Sequence, residues 1–334
     1  MAARLRRTPR IPESVLVAPD SFKGTFAAAD VAAAIGRGVE AAGRPADLCP
    51  VADGGEGTLD ALVMALGGEL QSAVATDPLG RRIEARFALS GNIGIVETAA
   101  ASGLGLVAPG ERDAIAADTA GTGELIAAAI RAGAEIVYLG VGGSATTDGG
   151  AGAIKAIERG GGLNGARLVV LCDVRTPFED AARVFAPQKG ADADGVRRLT
   201  ARLNALARRL PKDPRGVPMT GSAGGLSGGL WAALGAELVP GAAFVLDAVG
   251  FDARMRASRA VVTGEGKLDE QSLVGKVVSE VATRARQAGV PCHAVVGTRE
   301  LDSMGARILD LEHILEASTL EELEAAGRTL AELM

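Results

Sequence analysis

Residues 15–43 read VLVAPDSFKGTFAAADVAAAIGRGVEAAG. A five-residue apolar run passes into a turn carrying Asp20, Ser21, Lys23, Gly24 and Thr25; small apolar residues then recur at helical spacing over 27–42 until Gly43 stops them. The pattern predicts a buried strand, a glycine turn and a helix. It repeats at once: ADLCPV supplies a second strand, ADGGEGT (52–58) its terminal loop, and LDALVMAL a helix closed by Gly67 and Gly68. Alternation of this kind predicts an α/β fold on a parallel sheet.

From residue 69 the spacing changes to short alternating strands joined by DPLGRR and SGN and ending in IGIVETA, which predicts antiparallel pairing. A helix at TAGTGELIAAAIRAG (119–133) follows, then strand EIVYLGV with GGSATTDGG (142–150) at its end, strand RLVVLCDV (167–174), an amphipathic helix near 192–209 and the surface loop PKDPRGVP. Beyond GSAGGLSGGLWAALG (221–235) strands and helices alternate again through RAVVTGEG, a helix over 275–287, PCHAVVG, HILEAS and a terminal helix from 319. The expected organisation is two domains. Residues 15–68 and 236–334 form a discontinuous Rossmann-like parallel-sheet domain, residues 69–235 an inserted mixed-sheet α/β domain, and residues 1–14 a disordered leader.

With 334 residues, 48% apolar and 23% charged, the chain can bury a sizeable core and exceeds the usual single-domain length. Its 46 glycines gather at the ends of apolar runs, where backbone must turn or approach a ligand closely. A net charge of −6 argues against nucleic acid or an anionic membrane as the main partner. No apolar run approaches the roughly 20 residues that span a bilayer, and MAARLRRTPRIPES lacks the apolar stretch of a secretory signal. Cys49, Cys172 and Cys292 show no CxxC spacing and read as core residues of a reducing, cytoplasmic setting. His293 and His313 lie away from the glycine loops, so histidine-based catalysis is not expected.

Ligands of open parallel sheets bind outside the carboxyl ends of the strands. Four loops here fit that position, and each pairs a carboxylate with a hydroxyl, as phosphoryl transfer with Mg²⁺ requires. Neither GxxxxGK[ST] nor a GxGxxG after the first strand is present, so the phosphate cradle is of another kind. Lysine is scarce, six against 29 arginines, and Lys23, Lys189, Lys267 and Lys276 adjoin glycines. The candidate acids are Asp53, Asp148, Asp173, Glu265 and Asp269. Asp20 and Ser21 also fit a helix cap, Asp53 a turn, and Glu265, Lys267 and Asp269 an ion-paired surface turn. GSAGGLSGGL suits either a phosphate cradle or a tightly packed helix.

APDSFKGT, PVADGGEGT, TAAASGL (98–104), GVGGSATTDGG, CDV, FAPQKGA (185–191), AGGL and TGEGKLDEQSLVGK (263–276) occur together in one order. In these motifs, spanning residues 15 to 330, the chain closely resembles the type I glycerate kinase family. The resemblance implies ATP- and Mg²⁺-dependent phosphorylation of D-glycerate at the 2-hydroxyl, in a two-domain fold with the active site between the domains. The chain departs from the family in one place: only AIERGGGLNGA links the helix after GGSATTDGG to the strand ending in CDV, where members carry a longer segment. On this reading Asp53 accepts or orients the glycerate hydroxyl, Lys23 and Lys267 stabilise transferring charge, and Glu265, Asp269 and Asp173 serve the metal. Asp148 shares the catalytic assignment. Ser21, Thr25, Gly54, Gly55, Thr58, Ser144, Lys189, Gly264 and Ser272 are the expected phosphate- and substrate-binding positions. A kinase of a related hydroxy acid fits the same loops. A non-catalytic sensor fits less well, because the carboxylates are retained, and a dinucleotide oxidoreductase lacks its glycine fingerprint. Partners beyond the two small molecules are not indicated.

Overall fold

The structure, a computed structural model, describes residues 14–273 and 275–334. The expected leader therefore lies, but for Ser14, outside the described residues. In chain order the elements are β1 (Val15–Pro19), α1 (Ala28–Ala41), β2 (Ala46–Leu48), α2 (Thr58–Leu66), β3 (Glu69–Thr76), β4 (Arg82–Ser90), β5 (Ile93–Glu97), α3 (Ala99–Ser102), α4 (Ala120–Arg131), β6 (Ile136–Gly140), α5 (Ala151–Arg159) and β7 (Arg167–Cys172). There follow α6 (Ala181–Phe185), α7 (Ala193–Ala207), α8 (Ser222–Leu234), β8 (Glu237–Pro240), α9 (Gly241–Ala248), α10 (Phe251–Arg256), β9 (Ala260–Leu268), α11 (Val277–Ala288), β10 (Cys292–Arg299), α12 (Ser303–Leu309), β11 (Ile314–Glu316) and α13 (Leu320–Leu333). None of these helices is long and apolar enough to cross a membrane.

The fold is α/β with two compact units. The first comprises the described part of Met1–Pro50 with Gly250–Glu270 and Val281–Met334. Its five-stranded sheet, in the order β11-β10-β9-β1-β2, is parallel throughout. Every residue of β1 is buried, as a parallel strand covered on both faces requires. On one face α1 presents Val31, Ile35 and Val39, which share a core with Leu323 and Leu330 of α13. The two helices touch at glycines: a Cβ on Gly38 would lie 1.9 Å from the Glu324 carbonyl oxygen, and one on Gly327 2.2 Å from that of Ile35.

The second unit comprises Val51–Val249 and Gln271–Glu280. Its sheet runs β3-β4-β5-β6-β7-β8. The hairpin β3–β4 and the pair β4–β5 are antiparallel, and β5 to β8 are parallel. Leu125, Ile126 and Ala129 of α4 pack with Val137, Leu139 and Val170 of the sheet in its main core.

These divisions differ from those expected at 68/69 and 235/236. β8 pairs with β7, and α9 packs on β7 and α2, so residues 236–249 go with the mixed sheet. α2 packs on β4 and β5 and goes there too. The periodicity of a short strand and a helix does not say which sheet they join.

Gly327→Leu should destabilise the protein by about 1–3 kcal/mol or more, because the backbone of α1 leaves no room for the side chain. Gly110→Ala, where a Cβ meets nothing within 4 Å, should stay within about 0.5 kcal/mol of the parent. Urea denaturation of both variants checks the pair.

Candidate active site

In the second unit the chain enters at Val51 and makes the ADGGEGT loop, which lies against the ends of β6 and β7. Gly54 has a φ of 95°, and a Cβ there would meet the Leu171 carbonyl oxygen at 2.6 Å. A Cβ on Gly142 would stand 2.4 Å from the Gly55 Cα and 3.4 Å from Oδ2 of Asp173. The Gly142 N–H donates to the Gly54 carbonyl at 3.2 Å. From the other side α9 closes in: a Cβ on Gly241 would lie 2.2 Å from the Asp53 carbonyl oxygen. Asp53 is only 2% exposed, and its Oδ1 accepts the Gly55 N–H at 3.0 Å. Backbone contact thus brings Asp53, Gly54, Gly55 and Asp173 to one strand-end edge.

GGSATTDGG forms the neighbouring loop, and Asp148 is its anchor. Oδ2 accepts the Thr119 hydroxyl (2.8 Å) and the N–H groups of Thr119 (3.1 Å) and Gly152 (2.9 Å), while Oδ1 accepts the Gly150 N–H (3.0 Å). A carboxylate so engaged fixes the loop and the start of α5. Lys189 supports the same loop from within: its Nζ donates to Ser144 Oγ (2.9 Å) and the Thr146 carbonyl (2.6 Å). Burial lowers this amine to about 8, opposed by the charges of Asp173 and Asp148. Lys189 is therefore a buried prop of the loop and not a solvated surface lysine.

The two readings of GSAGGLSGGL are separated by its contacts. Ala223, Gly224 and Gly225 all have left-handed backbone, and Cβ atoms on Gly224 and Gly229 would stand 2.1 Å from the Thr146 carbonyl oxygen and 2.0 Å from that of Gly149. Its glycines let α8 pack directly on the GGSATTDGG loop. Several buried hydroxyls of this unit, those of Thr58, Thr98, Thr146 and Thr147, have no hydrogen-bond partner among the described residues. Such groups are costly to bury dry, and a bound oxyanion or hydroxyl would satisfy them.

One residue beyond the expected set belongs here. Glu97 ends β5, opposite Gly140 of β6, and its Oε1 accepts the Leu59 N–H at 2.7 Å, in the first turn of α2. Burial raises its carboxyl to about 7, against the N–H groups of Leu59 and Gly57 and with help from the charges of Asp60 and Glu56. The available signal was a carboxylate closing the apolar strand IGIVE at a strand end.

In the first unit, β1 and β9 lie side by side with Pro19 opposite Gly264. The Asp20 N–H donates to the Gly264 carbonyl (2.8 Å), and Asp20 Oδ1 accepts the Ser21 N–H (2.7 Å). The Ser21 hydroxyl is buried with no hydrogen-bond partner among the described residues, whereas Lys23 and Thr25 are exposed. Glu265 is buried on β9. Lys267 is half exposed, 2.8 Å from Glu300 and 3.8 Å from Asp269. Its ammonium is held above the usual lysine range by Glu300, so phosphate binding there competes with a surface ion pair. Ser272 is buried in the turn Glu270–Leu273, which belongs to the second unit save for its first residue. The expected metal ligands Glu265, Asp269 and Asp173 do not form a ready-made cage: among the described residues no three His, Cys, Asp or Glu side chains gather that could hold an ion. A Mg²⁺ carried on phosphate oxygens needs only one or two carboxylates.

His293 and His313 stack edge to face at 5.3 Å. Burial, with the His313 charge, lowers His293 to about 4. All three cysteines are buried and free.

Asp148→Asn should keep the shape of the loop yet set an amide NH₂ against backbone N–H donors. The expected loss is about 1–3 kcal/mol for the unsatisfied buried donors, read by urea denaturation, with turnover falling alongside.

The description "Glycerate kinase family" belongs to the sequence profile that matches this chain, over residues 15–161 and again over 158–332. The two matches meet at the end of α5. A protein of Halalkalibacterium halodurans named glycerate kinase is 39% identical over 324 residues, covering 85% of each chain. The Escherichia coli K12 protein named glycerate 2-kinase is 36% identical over 323 residues, again 85% of each. A solved structure from Salmonella typhimurium LT2, assigned as glycerate kinase 2, superposes with a TM-score of 0.79 at 33% identity, over 96% of this chain and 98% of that one. The strand-end loops that the geometry singles out are thus set in a chain that belongs to the glycerate kinase family.

Proposed function

We propose that the protein transfers the γ-phosphoryl group of ATP to the 2-hydroxyl of D-glycerate, giving 2-phospho-D-glycerate and ADP. The observation that carries the reading is the Asp53 loop: a carboxylate 2% exposed, tied at one oxygen to Gly55 and set beside Asp173 by the close approach of Gly55 to Gly142. An acid held this firmly suits orienting a substrate hydroxyl and accepting its proton as it attacks. The name of the Escherichia coli relative supports the 2-position.

In the second unit Thr58, Ser144 and Ser272, with the backbone of Gly54 and Gly55, are proposed to bind substrate and phosphate oxygens. Asp148 and Lys189 act by holding the loop that carries Ser144. In the first unit Ser21, Lys23, Thr25, Gly264 and Lys267 are proposed phosphate contacts. Mg²⁺, when bound with the nucleotide, neutralises phosphate charge. One or two carboxylates would hold it: Asp173 in the second unit, or Glu265 and Asp269 in the first. A cytoplasmic setting, where ATP is available, suits this reaction.

Purified protein given ATP, Mg²⁺ and D-glycerate should release ADP in a coupled assay, and NMR should place the new phosphate on carbon 2. Absence of ADP above background defeats the kinase reading, whereas phosphate on carbon 3 corrects only the position. Asp53→Ala and Lys23→Ala, each folded by circular dichroism, should lose about 10²–10³-fold in turnover. Near-normal turnover in either removes that residue from its role.

A further inference from the structure

We propose that Glu97 is a positioning residue for phosphoryl transfer, a side-chain cap that joins the end of β5 to the first turn of α2 and so fixes the shape of the Asp53 loop. The inference rests on the role proposed above for that loop. α2 begins at Thr58, the last residue of ADGGEGT; its cap residue, Gly57, is left-handed, and no side chain of that cap residue closes the helix N-terminus. A helix start leaves N–H groups without intrahelical partners. Glu97 supplies the acceptor from 38 residues away, at 2.7 Å from the Leu59 N–H. Its own strand is locked to β6 through the Glu97–Gly140 register. The Thr98 N–H donates to the Gly140 carbonyl at 2.8 Å, and a Cβ on Gly140 would lie 2.9 Å from the Gly54 carbonyl oxygen. Glu97 therefore grips the loop at its helical end, while Gly140 and Gly142 hold its middle.

The cap is also titratable. The charged groups that face it are Asp60 of α2 and Glu56 of the loop before it; β6 presents Gly140, and α3, the next element of the chain, carries no ionisable residue. An ionised Glu97 is the stronger acceptor for N–H groups at a helix start, so the loop is held tightest above the carboxyl's pKa of about 7. Stability runs the other way. The folded-state value exceeds the ordinary 4.5, so the contribution of the neutral acid is complete below 4.5 and is lost as pH rises through about 7. Rising pH thus improves the cap and costs global stability.

The test compares wild type, Glu97→Gln and Glu97→Ala, by kinetics across pH, thermal denaturation and hydrogen exchange. Wild-type kcat should fall as pH drops through about 7. Glu97→Gln, which keeps a neutral acceptor, should lose that limb and should lose less Tm than wild type between pH 6 and pH 8. Glu97→Ala should drop kcat by about 10²-fold, the cost of misplacing a reacting group by an ångström, with faster amide exchange confined to residues 53–60. An unchanged pH limb in Glu97→Gln overturns the proposal, and that variant keeps the test decisive even if Glu97→Ala does not fold. Should wild type itself fail to phosphorylate D-glycerate, the kinase reading falls, while the exchange and Tm comparisons still judge the cap.

Discussion

The second unit depends on backbone approaching backbone where no side chain fits. Gly54, Gly55, Gly140, Gly142 and Gly241 bring three strand-end segments together at distances that even a methyl group would forbid. Buried polar backbone at such short range is tolerated only when its groups pair, and the Gly142–Gly54 hydrogen bond does part of that. The result is a loop whose carboxylate, Asp53, is aimed by the packing of the main chain rather than by its own rotamer freedom. Rigid placement of this kind is what transition-state stabilisation demands of a reacting group.

The GGSATTDGG loop solves the same problem differently. There the organiser is a charge, Asp148, surrounded by four donors, with a buried ammonium, Lys189, propping the loop from inside. Both devices leave threonine hydroxyls nearby that are buried and unsatisfied among the described residues, a cost that a bound oxyanion would offset. In the first unit β1 and β9 run side by side, and Ser21 and Glu265 lie buried near their ends.

Much of this was legible in the sequence, and the limits follow from physics. The run at 15–43 gave strand, turn and helix nearly to the residue, because a buried parallel strand and a glycine-stopped helix each leave a strong local pattern. The loops stood out through their glycines. Residues 236–249 were harder, since a four-residue strand has the same pattern in either sheet and only its partner, β7, assigns it. The structural part of Asp148 was hidden because its donors come from Thr119 as well as from its own loop. Glu97 is hidden for a similar reason: its partner, the Leu59 N–H, lies in a helix 38 residues earlier. The scarcity of lysine singles out Lys267 but says nothing of the Glu300 carboxylate beside it.

The caging of Asp148 has a consequence for the lifetime of the chain. An aspartate followed by glycine is prone to rearrange through a cyclic imide: the glycine nitrogen attacks the carboxyl carbon with loss of water, and hydrolysis reopens the ring with an extra methylene in the backbone. Asp148 and Gly149 form such a pair. Here the Gly149 N–H is engaged with the Gly224 carbonyl at 3.1 Å, and the carboxylate is turned toward other donors. The bonds that shape the loop therefore also protect it from chemical ageing, and the protection lasts only while the loop stays folded.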